Sequence, residues 1–224
     1  MRPVWTAVNK HETVSVMPQT NRLPQVEPRQ KRAVKTREAL LEAVERLVAA
    51  EGHAAVTTTR LAAETGISVG TIYRYFADRE ALLLAAYDAT VARIVAVCAE
   101  ELDGLPPDVP AVDAARTLLI RYLEAAEAVP AHAGLLSAMR AIRPIEADQL
   151  GENQAGILGK LIVPFLARFA ADAAAPEPGR LSFVNVLIGT MVDLYLVTSD
   201  PAVRATMLAE MEAHVALIVD RLQR

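Results

Sequence analysis

Residues 57–80 read TTTRLAAETGISVGTIYRYFADRE, and the fold turns on how that stretch is parsed. It reads as two short helices joined by a tight turn, with a third helix beginning at its end. Leu61, Ala62, Ile67 and Ile72 supply the small apolar contacts that hold two crossing helices together. Gly66 stands where the first helix must stop, because glycine takes the left-handed conformation without a steric penalty. Ser68 is placed to cap the second helix by accepting from a first-turn amide. That helix carries Val69, Gly70, Thr71, Tyr73, Arg74 and Tyr75 with very little negative charge, while Ile72 and Phe76 fall on its apolar side. Small residues allow close approach, hydroxyls bond phosphates, and an arginine reads a base edge or grips the backbone. The segment therefore predicts a helix-turn-helix suited to DNA.

Working outward, helix one is expected from about Ala33 to Glu51, with Leu40, Leu41, Val44, Leu47 and Val48 at helical spacing and Gly52 closing it. Asp78 is placed to cap a long helix from Arg79 to about Leu102, the physical link to everything C-terminal. LPPDVP at 105–110 is a clear break. Beyond it the pattern predicts helices over 111–129, 131–142, about 145–173, 180–199 and 201–222, with Pro164 kinking or shortening the one it interrupts. Residues 1–32, with Pro3, Pro18, Pro24 and Pro28, show no helical pattern and read as a disordered arm. The arm's end, Arg29, Lys31, Arg32, Lys35 and Arg37, is basic and leads into the first helix; it either follows the DNA minor groove or adjacent phosphates, or is a solvated tail. No segment alternates with period two, so the fold class is all-α. The expected domains are the arm at 1–32, a three-helix DNA-binding head at 33–80, and a helical regulatory and dimerisation domain at 81–224.

The run T-T-x-x-L-A-x-x-x-G-I-S-x-G-T-I-Y-x-Y-F-x-x-[KR]-E-x-L, beginning at Thr57, is similar to the DNA-binding segment of the tetracycline-repressor (TetR/AcrR) family of bacterial regulators. Thr36 to Gly52, TREALLEAVERLVAAEG, resembles that family's first helix. The resemblance spans roughly residues 33 to 83. It implies a homodimeric DNA-binding regulator whose default is repression: a palindromic operator is released when a small molecule enters the helical body. An activator, or a regulator without a small ligand, is the alternative. For Tyr73 the resemblance implies a hydroxyl on phosphate, and for Arg79 a basic helix start beside a phosphate. Motif and resemblance together nominate Thr58, Thr59, Arg60, Ser68, Val69, Gly70, Thr71, Tyr73, Arg74, Tyr75 and Arg79 for DNA contact. Tyr75 is open between phosphate contact and packing, and Arg79 between a phosphate role and a merely charged helix start. Positions 74 and 75 fall where the family varies, so no operator preference carries over.

Charge supports the same polarity. The net charge of −4 over 224 residues looks wrong for a DNA binder until it is divided. Residues 1–80 carry a net +3 and residues 81–224 a net −7, which sets the positive field at one end.

The C-terminal helices are unusually apolar. Residues 183–197 are apolar on nearly all faces, and 207–222 carry a broad apolar stripe. A helix apolar all round must be covered on all sides, so Leu187, Met191, Leu194, Met211, Val215 and Ile218 are expected at a dimer interface. A buried helix inside the monomer is the alternative. Large side chains on helices expected to face inward, Tyr87, Tyr122, Met139, Phe165, Phe169 and Tyr195, nominate a ligand pocket, and each also reads as plain core. Arg140 and Arg143, one turn apart, read either as an anion site or as solvated, salt-bridged groups.

Other chemistries lack their residues. His11, His53, His132 and His214 lie in separate segments with no HExxH or CxxC spacing, and no phosphate loop is present. No enzyme, metal or cofactor is expected. Lone Cys98 reads as a small core residue in a reducing cytoplasm. The N-terminus is not signal-like and no uninterrupted apolar run reaches the roughly 18 residues of a membrane span, so a cytoplasmic, nucleoid-associated protein is expected.

Overall fold

The computed structural model describes residues 26–143, 154–170 and 178–223, and among them every regular element is helical. Helix α1 runs Val26–Glu51, beginning earlier than the expected Ala33. Pro28 lies in its first turn, where a missing N–H leaves no intrahelical bond unmade, and straight-chain helix formers follow it. Residues 1–25, the rest of the expected arm, lie outside the described residues. The chain divides after Lys35 into two units. The described part of the first is the opening of α1, and everything below concerns the second.

There α1 turns Leu40, Leu41, Val44, Leu47 and Val48 inward, all buried. It closes at Gly52, φ +80°, whose N–H donates to the Val48 carbonyl at 2.9 Å. A 3-10 turn at His53–Ala55 leads into α2 (Thr58–Thr65), α3 (Val69–Tyr75) and α4 (Arg79–Gly104). Each start is capped by a side chain that accepts an otherwise unpaired amide. Thr57 takes Arg60 N–H at 3.2 Å, Ser68 takes Thr71 N–H at 3.2 Å, and Asp78 takes Ala81 N–H at 2.7 Å. Gly66, φ +70°, ends α2 as the sequence predicts. Leu61 and Ile72 lock the crossing of α2 and α3 from within the head's core, beside Val44, Val56 and Phe76.

Helix α4, about 39 Å long at 1.5 Å per residue, passes through two cores. Its first half buries Leu82, Leu83 and Ala86 with the head. Its second half buries Ile94, Val95, Cys98 and Leu102 in the core of the helical body. Helix α5 (Ala111–Glu127) and α6 (His132–Ile142) pack on α4, and α6 adds Leu135 and Ala138 to the head's core. The boundary expected at 80/81 therefore falls inside one compact unit.

Of the helix expected over 145–173, residues 154–170 are described. Gln154–Ile162 winds as a π-helix and gives way to α7 (Val163–Phe169), with Pro164 in its first turn. Helix α8 (Pro178–Val197) and α9 (Pro201–Leu222), capped by Asp200 on the Ala202 and Val203 amides, complete the body. By length and composition alone α4 and α8 would each reach across a bilayer. The expectation of no such segment counted uninterrupted runs, which stop at Asp88, Arg93 and Asp193. In the fold 39% of the apolar stretch of α4 is buried against 11% of that of α8, so α8 is the helix left mostly uncovered.

Candidate functional site

Helix α3 presents its polar side outward. Ile72 and Phe76 are buried, whereas Tyr73 is 53% exposed and Gly70 and Arg74 are exposed beside it. A Cβ added at Gly70 would meet no atom within 4 Å, so the glycine is not required by packing within the chain. It leaves a low point on the outer surface where another backbone can approach. Among the described residues Arg74 has no ion pair, and its guanidinium lies 5.7 Å from the Tyr75 ring centroid. Tyr75 itself is half-buried against the head's core, which favours its packing role. Ser68 and Thr71 share a hydroxyl–hydroxyl bond of 2.9 Å, and Val69 is half-buried.

The remaining nominees are more committed. Thr59 is exposed and Thr58 half-buried in the first turn of α2. Arg60 forms a two-pronged ion pair with Glu51. Its hydrogen bond lowers the Glu51 carboxyl below its ordinary range, and the same bond raises Arg60. Arg79 departs furthest from the role its motif implied. Its Nε donates to the Val56 carbonyl at 2.8 Å and its Nη2 to the His53 carbonyl at 2.6 Å. It clamps the start of α4 onto the 3-10 turn that precedes α2. Sequence reading missed this clamp because its partners are backbone atoms and carry no residue signature.

The sequence model for bacterial regulatory proteins of the tetR family matches residues 40–86, the span that holds these elements. The chain belongs to the TetR family. TetR proteins are DNA-binding transcription regulators and not enzymes. Solved structures agree on the fold. The repressor AlkX from Dietzia sp. strain DQ12-45-1b is similar at TM-score 0.58 and 15% identity, over 84% of this chain and 97% of that one. A Shewanella sp. PV-4 protein assigned to tetR-family transcription regulators is similar at TM-score 0.55 and 20% identity, over 83% and 97%. No curated protein matches the sequence.

Behind the TetR head, the helical body holds a partly open cavity of about 170 Å³. Of the nominated pocket residues, Tyr87, Tyr122, Met139 and Phe165 line it, and Phe169 and Tyr195 do not. Phe169 instead packs on Phe165, centroids 5.0 Å apart, and Tyr195 lies beneath the Arg204 guanidinium at 4.3 Å. Arg140 reaches the cavity in an ion pair with Asp193, Nε to Oδ2 2.7 Å, and so is not a free anion site. Arg143 faces Asp88 at 3.8 Å; burial pushes the Asp88 carboxyl up and Arg143 only partly offsets it. Sequence reading missed Gly189, Asp193 and Val219 as wall residues. The single acid in the apolar run of α8 was the available signal, since an acid there needs a partner.

The nominated dimer residues separate into three groups. Met211 and Val215 are buried in the monomer's own second core, because the 211/215/219/222 stripe of α9 packs on α5. Ile218 lines the cavity. Leu187 and Met191 are half-buried and Leu194 is 53% exposed. With Phe183 and Val197 on α8, and Val203 and Leu217 on α9, Leu194 belongs to an exposed apolar surface that no described residue covers. Two buried titratable groups complete the body. Burial pushes the Cys98 thiol up to about 11, which makes it inert. It also pushes His132, stacked on Tyr87 at 5.9 Å, down to about 4.

Proposed function

We propose that this TetR protein is a homodimeric repressor that holds a palindromic operator and leaves it when a small apolar molecule enters the helical body. Tyr87 carries the reading. This one residue of α4 packs against the head's core and also lines the cavity, and α6 repeats the arrangement with Ala138 on the core and Met139 on the cavity. A ligand there acts on the elements that seat the reading helix. It releases DNA only to the extent that it prefers the DNA-incompetent arrangement. Tyr73 and Arg74 are the outward contacts, with Gly70 admitting the backbone. The remaining nominees position these residues or touch phosphate.

Dimerisation is supported by the uncovered apolar faces of α8 and α9, since large exposed apolar patches mark interaction surfaces. It is also supported by recognition itself, because two short helices one DNA turn apart read a palindrome that one cannot. The similar Dietzia repressor is described as implicated in biodegradation of n-alkanes, which accords with an apolar effector.

Sedimentation of the wild type and of Leu194→Arg, with and without operator DNA, tests the dimer. The expected result is a wild-type dimer, and a variant that is monomeric and loses operator affinity. A wild-type monomer that binds operator tightly would contradict it. For release, any compound that raises the melting temperature through the cavity must also lower DNA affinity. A stabilising compound that leaves DNA affinity unchanged speaks against this mode of regulation.

A further inference from the structure

The cavity's own chemistry specifies more about its occupant than that it is apolar. On α8 the lining residues Asn185, Ile188, Gly189, Val192 and Asp193 recur at helical spacing on one face. Gly189 stands in the middle of that face and of the helix, where glycine is the least favoured residue after proline. A Cβ added there would meet no atom within 4 Å. Close helix packing therefore does not account for the glycine, nor does a positive φ, since it has none. Its effect is to keep volume open along the wall. At about 170 Å³ the space is close to that of an apolar engineered cavity that admits a benzene ring, about 150 Å³.

Most of the wall is hydrocarbon, from Leu118, Leu161, Phe165 and Val219 among others. The formal charges in it, Arg140 and Asp193, are already joined. An anion would have to displace Asp193 from Arg140 and leave it buried beside the newcomer. A cation would find only a carboxylate that Arg140 already neutralises. Either outcome strands a charge at low dielectric, so the lining selects against both. Of the other polar side chains in the wall, Tyr87 and Asn185 are half-buried, and Tyr122 is the buried one. Tyr122 is 8% exposed, lines the cavity and makes no hydrogen bond to any described residue. Buried phenols ordinarily have a partner. Burial, reinforced by the Asp193 charge, pushes its ionisation upward, so the hydroxyl stays protonated and available as a donor.

We propose that the cavity binds a small uncharged molecule, mostly hydrocarbon and about the size of one substituted ring, whose single hydroxyl or carbonyl group pairs with Tyr122. The inference rests on the reading of the cavity as an effector site. It adds the chemical class, the residue that recognises it and the residue that makes room for it.

Calorimetry on the DNA-free protein with three probes of one shape tests it: 4-ethylphenol, 4-ethyltoluene and 4-ethylbenzoate. The phenol is expected to bind about tenfold more tightly than the hydrocarbon, the worth of one net hydrogen bond, and the benzoate not to bind. Tyr122→Phe should bring the phenol down to the level of the hydrocarbon. Gly189→Leu, which fills the space and improves the helix, should abolish binding of both while the melting temperature holds or rises. Tightest binding by the benzoate, no binding of either neutral probe, or an unchanged preference in Tyr122→Phe would each overturn the proposal. So would unchanged binding in Gly189→Leu. DNA release is measured separately. Tyr122-dependent binding that leaves DNA bound would keep this inference and remove the release mechanism, whereas release by a charged compound would do the reverse.

Discussion

The head and the body of this protein are built on opposite plans. In the head the two helices of the reading motif, α2 and α3, are short, each capped by its own sequence neighbour and closed by a glycine or an extended residue. Several of its polar side chains outside the reading face are committed to one another: Arg60 to Glu51, Arg46 to Glu64 at 3.0 Å, Ser68 to Thr71. In the body α8 is apolar almost all round, the helices leave about 170 Å³ open, and the described residues leave one outer apolar face uncovered. A reading surface gains from rigidity, because base contacts depend on fixed geometry. A sensing domain gains from bistability, because a ligand can shift only an equilibrium that already exists.

The sharpest way to break this contrast is to remove equal amounts of hydrocarbon from each region. Ile72 is fully buried in the head, and Ile72→Ala should cost about 3–4 kcal/mol. Ile218, half-buried beside space already open, should cost only about 1–2 kcal/mol on the same change. Urea denaturation of both variants measures the difference. Equal losses would mean that the body is packed as tightly as the head.

Arg79 gives the next effect. Arg79→Met should destabilise by about 2 kcal/mol, through loss of charge-assisted bonds to the two carbonyls, and should leave sequence preference on DNA unaltered. A variant of full stability with lost DNA affinity would return Arg79 to the phosphate role that its motif implied.

An effect of similar size concerns pH. His132 is held to about 4 by burial, below an unfolded value of about 6.5. The unfolded chain therefore binds the proton first on acidification, so stability is full above pH 6.5 and falls as pH drops from there toward 4. About 2 kcal/mol should be lost by pH 5, and His132→Phe should remove that slope. An unchanged slope in the variant would place the titration elsewhere.

How far the sequence was legible follows the same division. Gly66, Ser68 and Asp78 announced their turn and caps because capping is local chemistry, set within three residues of chain. The buried pattern of α1 and α3 was legible for a related reason: one face of each is polar. In α8 and α9 that cue is missing. A helix apolar on all sides does not say which side meets the monomer, so Met211 and Val215, expected at a dimer interface, lie in the monomer core. Phe169 and Tyr195 missed the cavity because size and apolarity do not encode direction. The Arg79 clamp and the Arg140–Asp193 pair join residues 23 or more positions apart, a distance over which no sequence period operates.

The central claim is that the outward face of α3 reads DNA for a symmetric dimer. Selection of bound sequences from a random DNA pool, run at one stated salt concentration on wild type and Arg74→Ala, tests it most directly. The account predicts a palindrome with fixed half-site spacing for the wild type. For the variant it predicts preference relaxed at one position in each half-site, worth about 1–3 kcal/mol. A folded dimeric wild type that enriches no palindrome would contradict the account.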